Sequence, residues 1–259
     1  MKQFACKLTG RKPLTDDVSL YRFEAENEPF VYSPGQFVSF VLTDPTNGAR
    51  IVRSYSVAGA QNVVSTGIIA GAHSITCKSF ELIIIHVANG KGTSMLKSLP
   101  LETSLKTVGP AGNLTLRISE GQLPPLVFCA NSTGIAPFRA MLQYLAQAKL
   151  FPEVSVFWGL KTVRDLYLAE EFVAFEKLWQ EHGSTFVTKI CLSRETEIPQ
   201  NASLPSSCFS LGRIQSSLEQ LPSRNYQVYI CGGKSFVLDT KALAVSLLSQ
   251  STVFVERFN

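Results

Sequence analysis

The chain has 259 residues, of which 45% are apolar and 17% charged, and a formal net charge of +4. This balance excludes an extensively disordered chain, and the length suits two domains of about 120 to 140 residues, each with its own core. The positive charge forms no basic block and no run nears the roughly 18 apolar residues of a membrane helix, so neither nucleic acid nor a membrane is an expected partner. A mildly basic face suits an acidic protein partner.

Met1 to Lys12 is polar and lacks the apolar centre of a signal peptide, which predicts a cytoplasmic protein. From Phe4 to about Arg117 the sequence reads as short β-strands, including 20–25, 36–42, 53–57 and 80–87. They are broken by Glu28-Pro29, Ser33-Pro34-Gly35, Asp44-Pro45 and Gly109-Pro110. That rhythm predicts an antiparallel β-barrel, with a helical turn or two beginning near Gly92. The stretch from Asn62 to Ser79 reads as a surface insertion between two barrel strands. At Glu120-Gly121-Gln122-Leu123-Pro124-Pro125 the pattern changes, dividing the chain into 1–120 and 121–259. Strands are then expected at 126–130, 154–158, 185–192, 227–231 and 252–255, with helices at 137–148, 169–181 and 236–248. Alternating strands and helices predict a parallel-sheet α/β domain.

The six cysteines, Cys6, Cys77, Cys129, Cys191, Cys208 and Cys231, are widely scattered. Neither a zinc pattern nor an iron–sulfur quartet can be drawn from them, so free thiols are expected and any bound electron carrier is organic. His73, His86 and His182 are isolated and read as surface or structural groups.

Arg53-Ser54-Tyr55-Ser56 falls on a predicted strand, where alternation places Arg53 and Tyr55 on one face. A guanidinium fork suits a pyrophosphate and a tyrosine ring suits a stacked planar heterocycle, while Ser56 offers a hydroxyl or an amide. Gly90-Lys91-Gly92-Thr93-Ser94 precedes a predicted helix, so its amides and hydroxyls can receive phosphate oxygens. Each motif also has a plain reading, as an exposed strand pair and as a loop with an N-cap.

Leu126 to Ala130 runs into Asn131-Ser132-Thr133-Gly134-Ile135-Ala136-Pro137-Phe138, a strand, tight turn and helix that aim amides at a diphosphate. The three-glycine dinucleotide fingerprint is absent. Ser193-Arg194 follows a predicted strand end, where a hydroxyl beside a guanidinium suits an adenosine 2′-phosphate; the plain reading is a pair of solvated loop charges, Arg194 and Glu195.

Taken together, Arg53 to Ser56, Pro34-Gly35-Gln36-Phe37, Gly90 to Ser94, Gly109-Pro110-Ala111-Gly112-Asn113-Leu114, Ser132 to Phe138, Phe157-Trp158-Gly159 and Tyr229-Ile230-Cys231-Gly232-Gly233 resemble the ferredoxin–NADP reductase superfamily, bacterial type. The resemblance covers most of residues 4–258. It implies an FAD-binding β-barrel followed by a nicotinamide-nucleotide-binding α/β domain, and hydride transfer from NADPH to the flavin N5, with NAD as the alternative nucleotide.

By resemblance, Arg53 and Thr93 bind the FAD pyrophosphate with Gly90, Lys91, Gly92 and Ser94. Tyr55 stacks on the flavin beside Ser54, and Ser56 approaches N5. A basic residue is common near Ile84, where this chain has Ile85 and His86; Ile84 and His86 accordingly lie at the adenine and ribityl contacts. Thr133, Gly134, Ile135, Ala136 and Pro137, with Cys231, Gly232 and Gly233, receive the nicotinamide nucleotide. Ser132 stands where glycine is usual. Cys231 sets packing and polarity around the transferred hydride, although a buried cysteine is ordinarily a small apolar filler. In the tail, Glu256 assists proton balance and Phe258 shields the flavin, the plain alternative being a frayed terminus. Electrons then pass to an external acceptor: ferredoxin, flavodoxin or an oxygenase component. Other readings are a free flavin or ferric reductase and, from another class, a noncatalytic assembly subunit.

Overall fold

The computed structural model describes residues 2–69, 72–88, 90–118, 124–200, 204–248 and 251–258. The chain divides into two compact units, Met1–Arg117 with Ala136–Ala148, and Ile118–Ile135 with Lys149–Asn259. The boundary expected at 120/121 lies outside the described residues.

The first unit is a barrel. Its strands are β1 (Lys2–Pro13), β2 (Val18–Ala25), β3 (Phe30–Tyr32), β4 (Phe37–Thr43), β5 (Arg50–Ile69), β6 (Ala72–Ile85) and β7 (Ser104–Ala111), with α1 (Lys91–Ser98) between β6 and β7. The sheet runs β2-β1-β7-β4-β5-β6-β3, and the additional antiparallel β2–β6 pairing closes six strands on themselves, leaving β3 as a flap on β6. Alternating side chains fill the interior: Tyr21, Phe23, Val38, Phe40, Phe80 and Leu82 are all fully buried. Phe23 sits 4.8 Å from Phe40 and 5.7 Å from Phe80 by ring centroids, and Phe30 sits 4.7 Å from Phe80. Truncating an aromatic at such a centre costs about 3–5 kcal/mol.

One expectation is corrected here. The 62–79 stretch is no insertion between strands; it is the outer half of a β-hairpin, since β5 and β6 stay paired from Val57↔Leu82 out to Ile69↔Ala72. Bulges between Val57 and Gly59 and between Val63 and Ser65 bend it. Against this hairpin lies α2 (Ile135–Gln147). Arg139, buried, donates to the Ala58 carbonyl at 2.9 Å and to the Glu81 carboxylate at 2.9 Å. Glu81 also receives Arg22 at 3.1 Å and Gln61 at 2.7 Å, so this buried carboxylate is well supplied with donors. Farther along, Tyr144 Oη and His73 Nδ1 are 2.8 Å apart.

The second unit is a six-stranded parallel sheet of β8 (Leu126–Asn131), β9 (Val154–Leu160), β10 (Phe186–Leu192), β11 (Phe209–Leu211), β12 (Gln227–Gly233) and β13 (Thr252–Phe258). Its helices are α3 (Ala169–Glu181), the short α4 (Gln215–Leu218) and α5 (Lys234–Leu247). The order is β11-β10-β9-β8-β12-β13. Strands β8 to β11 therefore step one way and β12 to β13 the other, which makes the β8/β12 border the switch point where a crevice opens at the strands' carboxyl ends. Near-continuous apolar runs such as Leu126–Ala130 and Val228–Cys231 suit strands covered on both faces. The tail is a paired strand, not a frayed end, with Cys231↔Glu256 and Gly233↔Phe258 in register. All six cysteines are free, and all but Cys208 are buried. No helix among the described residues is long and apolar enough to cross a membrane.

Candidate functional site

Two clusters form, one in each unit. In the barrel, β5 carries Arg53 and Tyr55, and the turn into α1 carries Gly90 to Ser94. Gly92 brings the two motifs together: a Cβ there would lie 2.6 Å from Arg53 Cγ, so only glycine lets the arginine stem cross the start of α1. Arg53 is anchored to the Val52 carbonyl at 2.9 Å and keeps the rest of its fork exposed. Thr93 Oγ1 donates to the Gly90 carbonyl at 3.1 Å, and Lys91 is committed to Asp44 at 2.9 Å, an ion pair that fixes the turn. The ammonium beside it and the Thr46 hydroxyl hold Asp44 well below the usual carboxylate range, Thr46 contributing most.

Tyr55 packs 5.9 Å from Phe40. Its hydroxyl is buried and has no hydrogen-bond partner among the described residues. Burial, only partly offset by Arg53, pushes that hydroxyl's pKa up to about 12. His86, past the end of β6, places Nε2 at 3.3 Å from both Tyr21 Oη and Ser19 Oγ. Its Nδ1 is likewise buried and without a partner among the described residues. Burial first, then Lys97, lowers its pKa, with the Thr93 backbone opposing. Ser54 turns to Ser39, 2.8 Å away, while Ser56 and Ile84 are buried. Arg11, which donates to the Leu96 and Leu99 carbonyls at 3.0 and 2.8 Å and lies 5.2 Å over the Tyr21 ring, joins this cluster although no sequence motif marks it.

A buried tyrosine hydroxyl and a buried imidazole nitrogen each lacking a partner, beside an arginine fork and a helix start, are what a polar, phosphate-bearing planar cofactor would complete. The residues present thus fit FAD. A larger cleft of about 350 Å³, lined by Phe4, Phe30 and Pro110 among others, contains none of the sequence-predicted site residues.

In the second unit, the Asn131–Gly134 turn and the Cys231–Gly233 strand end meet at the switch point. A Cβ on Gly134 would fall 2.1 Å from the Cys231 carbonyl oxygen, so glycine is required for this approach. Ser132 adopts φ +50°, the left-handed region, which explains why glycine is usual there. Its carbonyl is held by Trp158 Nε1 at 2.9 Å and Tyr167 Oη at 3.3 Å. Thr133 to Pro137 are buried, at the point where the 3-10 turn Ser132–Gly134 becomes α2. Cys231 is fully buried; desolvation, and secondarily the charge of Glu256, keep its thiol pKa well above the ordinary value. That thiol is no nucleophile.

A pocket of about 210 Å³ opens at the same strand ends, lined by Asn131, Gly159, Ser193, Arg213, Ser235 and Asp239 among others. Ser193 lines it and donates to the Leu160 carbonyl at 3.1 Å, leaving its lone pairs free. Arg194 is not among the lining residues; Arg213, just past β11, is. Sequence reasoning missed Arg213, whose only local signal is a Gly-Arg pair after a short apolar strand. Among the described residues no group of three or more metal-ligating side chains assembles.

This arrangement defines a flavin- and nicotinamide-binding oxidoreductase, and the comparisons agree. Residues 5–116 match the oxidoreductase FAD-binding domain family and residues 128–242 the oxidoreductase NAD-binding domain family. The second match takes in α2, which by compactness lies with the barrel. The chain belongs to the ferredoxin–NADP reductase superfamily. Among its relatives is ferredoxin–NADP reductase B of Sorangium cellulosum, 28% identical over 175 residues, a match covering 67% of this chain and 65% of that one. Another is the reductase component 1 of terephthalate 1,2-dioxygenase from Comamonas, 24% identical over 255 residues, covering 96% of this chain and 67% of that one. These relatives are longer than the stretch they share with this chain. A solved ferredoxin NADP+ reductase from Neisseria gonorrhoeae with bound FAD and NADP has the same fold, with a TM-score of 0.73 at 19% identity and 99% of each chain covered.

Proposed function

We propose that this chain takes reducing equivalents from a nicotinamide nucleotide onto FAD and passes them to a separate protein acceptor. The observation that carries the reading is the completion of both cofactor cradles in one chain, above all the buried Tyr55 hydroxyl and His86 Nδ1 waiting for a partner beside Arg53 and Gly92. When bound, FAD supplies the chemistry of accepting a hydride as two electrons and releasing them singly or together. The residues do the rest. Arg53, Thr93 and the α1 amides neutralise the pyrophosphate, Tyr55 covers the ring and hydrogen-bonds the cofactor, and Ser56 offers its hydroxyl or amide at N5. Thr133 to Pro137 and Gly232–Gly233 seat the dinucleotide phosphates. Cys231 contributes a neutral, polarisable surface that excludes water, and Glu256, paired in register with it, sets the charge beside it.

NADPH is the preferred nucleotide in this reading. Ser193 and Arg213 form the receptor for the 2′-phosphate, with Arg194 as a second cation at the rim. The acceptor is ferredoxin, flavodoxin or an oxygenase component; the names borne by the Sorangium and Comamonas relatives favour this class, and the chain's net charge of +4 suits an acidic protein. A cytoplasmic setting fits six free thiols.

The test is an anaerobic titration of the FAD-reconstituted protein with NADPH and NADH, followed through the flavin's visible band. Stoichiometric bleaching by NADPH, and reoxidation by added ferredoxin or flavodoxin, is expected. Failure to retain FAD, or a bound flavin that neither nucleotide bleaches, overturns the proposal.

A further inference from the structure

The pocket at the carboxyl end of the parallel sheet contains both signs of charge. Ser193, Arg213, Gln215 and Asp239 all line it, and Asp239 is the only carboxylate among the described residues that do. Asp239 stands on α5 one turn beyond Ser235, another lining residue, so the two share a helix face. The adjoining Thr240 Oγ1 accepts a hydrogen bond from Gln215 Nε2 at 3.2 Å, which ties α5 to α4 just past Arg213. Among the described residues, neither the Asp239 carboxylate nor the Arg213 guanidinium has a hydrogen-bond or ion-pair partner, each other included. Both charges are therefore left for a ligand.

The side chains around them are arranged to accept. Ser193 Oγ spends its proton on the Leu160 carbonyl at 3.1 Å, so it offers lone pairs to the pocket. Gln215 Oε1 is buried and receives no hydrogen bond from any described residue. A phosphate dianion brings acceptors alone: Arg213 attracts it, and these three oxygen-bearing groups do not. A ribose hydroxyl brings a proton to give. A carboxylate that takes that proton in a hydrogen bond is a general device for holding a nucleotide without the extra phosphate.

We propose that Asp239 is a specificity-determining residue, which accepts a hydrogen bond from the ribose 2′-hydroxyl of NADH and repels the 2′-phosphate of NADPH. It thereby holds down the preference that Arg213 creates and keeps both nucleotides usable. The proposal rests on reading this pocket as the seat of the nucleotide's adenosine end.

The experiment is calorimetric titration of the full, FAD-loaded chain with adenosine 2′,5′-bisphosphate and adenosine 5′-monophosphate, which present that end with and without the 2′-phosphate. An ionic strength of about 0.15 M screens charges more than about 8 Å apart. In Asp239→Asn the bisphosphate should bind about 5- to 10-fold tighter and the monophosphate about 5- to 10-fold weaker. The opposite signs separate contact from proximity, because removing a negative charge that merely lies nearby tightens both anions. Asp239 is exposed, so the variant keeps the fold. An unchanged ratio of the two affinities, or a change of the same sign for both, overturns the role of Asp239 and leaves the assignment of the pocket standing. If wild type binds neither probe, the adenosine seat lies elsewhere, and the proposal falls together with the reading beneath it.

Discussion

Removing the Glu81 carboxylate tests the view that α2 is held on the barrel by one buried charge cluster. In Glu81→Leu, Arg139 keeps its bond to the Ala58 carbonyl but loses its counter-ion at a site 5% exposed. Stranding a buried charge in this way costs about 3–5 kcal/mol. Arg22 contributes little to that figure, because its side chain is 43% exposed and water replaces the partner. At roughly 2–4 °C per kcal/mol for a chain of this size, the midpoint of thermal unfolding should fall by about 10 °C. Replacing both partners, as in Glu81→Leu/Arg139→Met, removes the stranded charge and should recover most of the loss. The assay is a double-mutant cycle on urea unfolding, completed by Arg139→Met. If the double variant is as unstable as the two single changes added together, the pair is not coupled and the reasoning fails.

Three further outcomes follow from the cofactor clusters. Tyr55→Phe removes a hydroxyl that has no partner in the free protein, so the apoprotein should melt no lower, while FAD affinity by fluorescence quenching should fall about 5- to 10-fold, the worth of one hydrogen bond; unchanged affinity would show that the hydroxyl does not touch the flavin. Arg213→Ala should raise the KM for NADPH by about 10- to 100-fold and leave NADH nearly untouched, with a smaller shift in the same direction for Arg194→Ala; equal losses for both nucleotides would refute a 2′-phosphate role. Because the fold lowers the His86 pKa below 6.5, the neutral ring favours folding: its contribution is complete above that value and is lost as pH falls through the lower folded value. The thermal midpoint of His86→Gln should therefore drop less between about pH 7.5 and about pH 5.5 than that of wild type. A parallel pH profile for the two proteins counts against it.

The parts of the site that were legible in sequence are those built by neighbours along the chain. Arg53 and Tyr55 share one strand, Gly90 to Ser94 one turn, and Ser132 to Pro137 one strand-to-helix junction, so local chemistry announced them. Helix α3 was expected at 169–181 and forms over Ala169–Glu181 because its apolar residues repeat at helical spacing. Arg213 was invisible because only the parallel pairing of β11 with β10 carries it to Ser193 across the intervening chain. His86 was marked from its place after a strand, but its link to Tyr21 and Ser19 depends on barrel closure by the β2–β6 pairing. The 62–79 hairpin was misread because serine, glycine and alanine suggest a loop, while the bulge between Val63 and Ser65 breaks the alternation that betrays a strand.

The thiols have a use of their own. Cys6 and Cys77 lie within the barrel unit, Cys129, Cys191 and Cys231 within the parallel-sheet unit, and Cys208 alone is partly accessible. A neutral alkylating reagent should therefore tag Cys208 at once and the rest only as each unit opens. Mass spectrometry of the tagged peptides then turns the chain's own side chains into two independent clocks for local unfolding, with no label introduced.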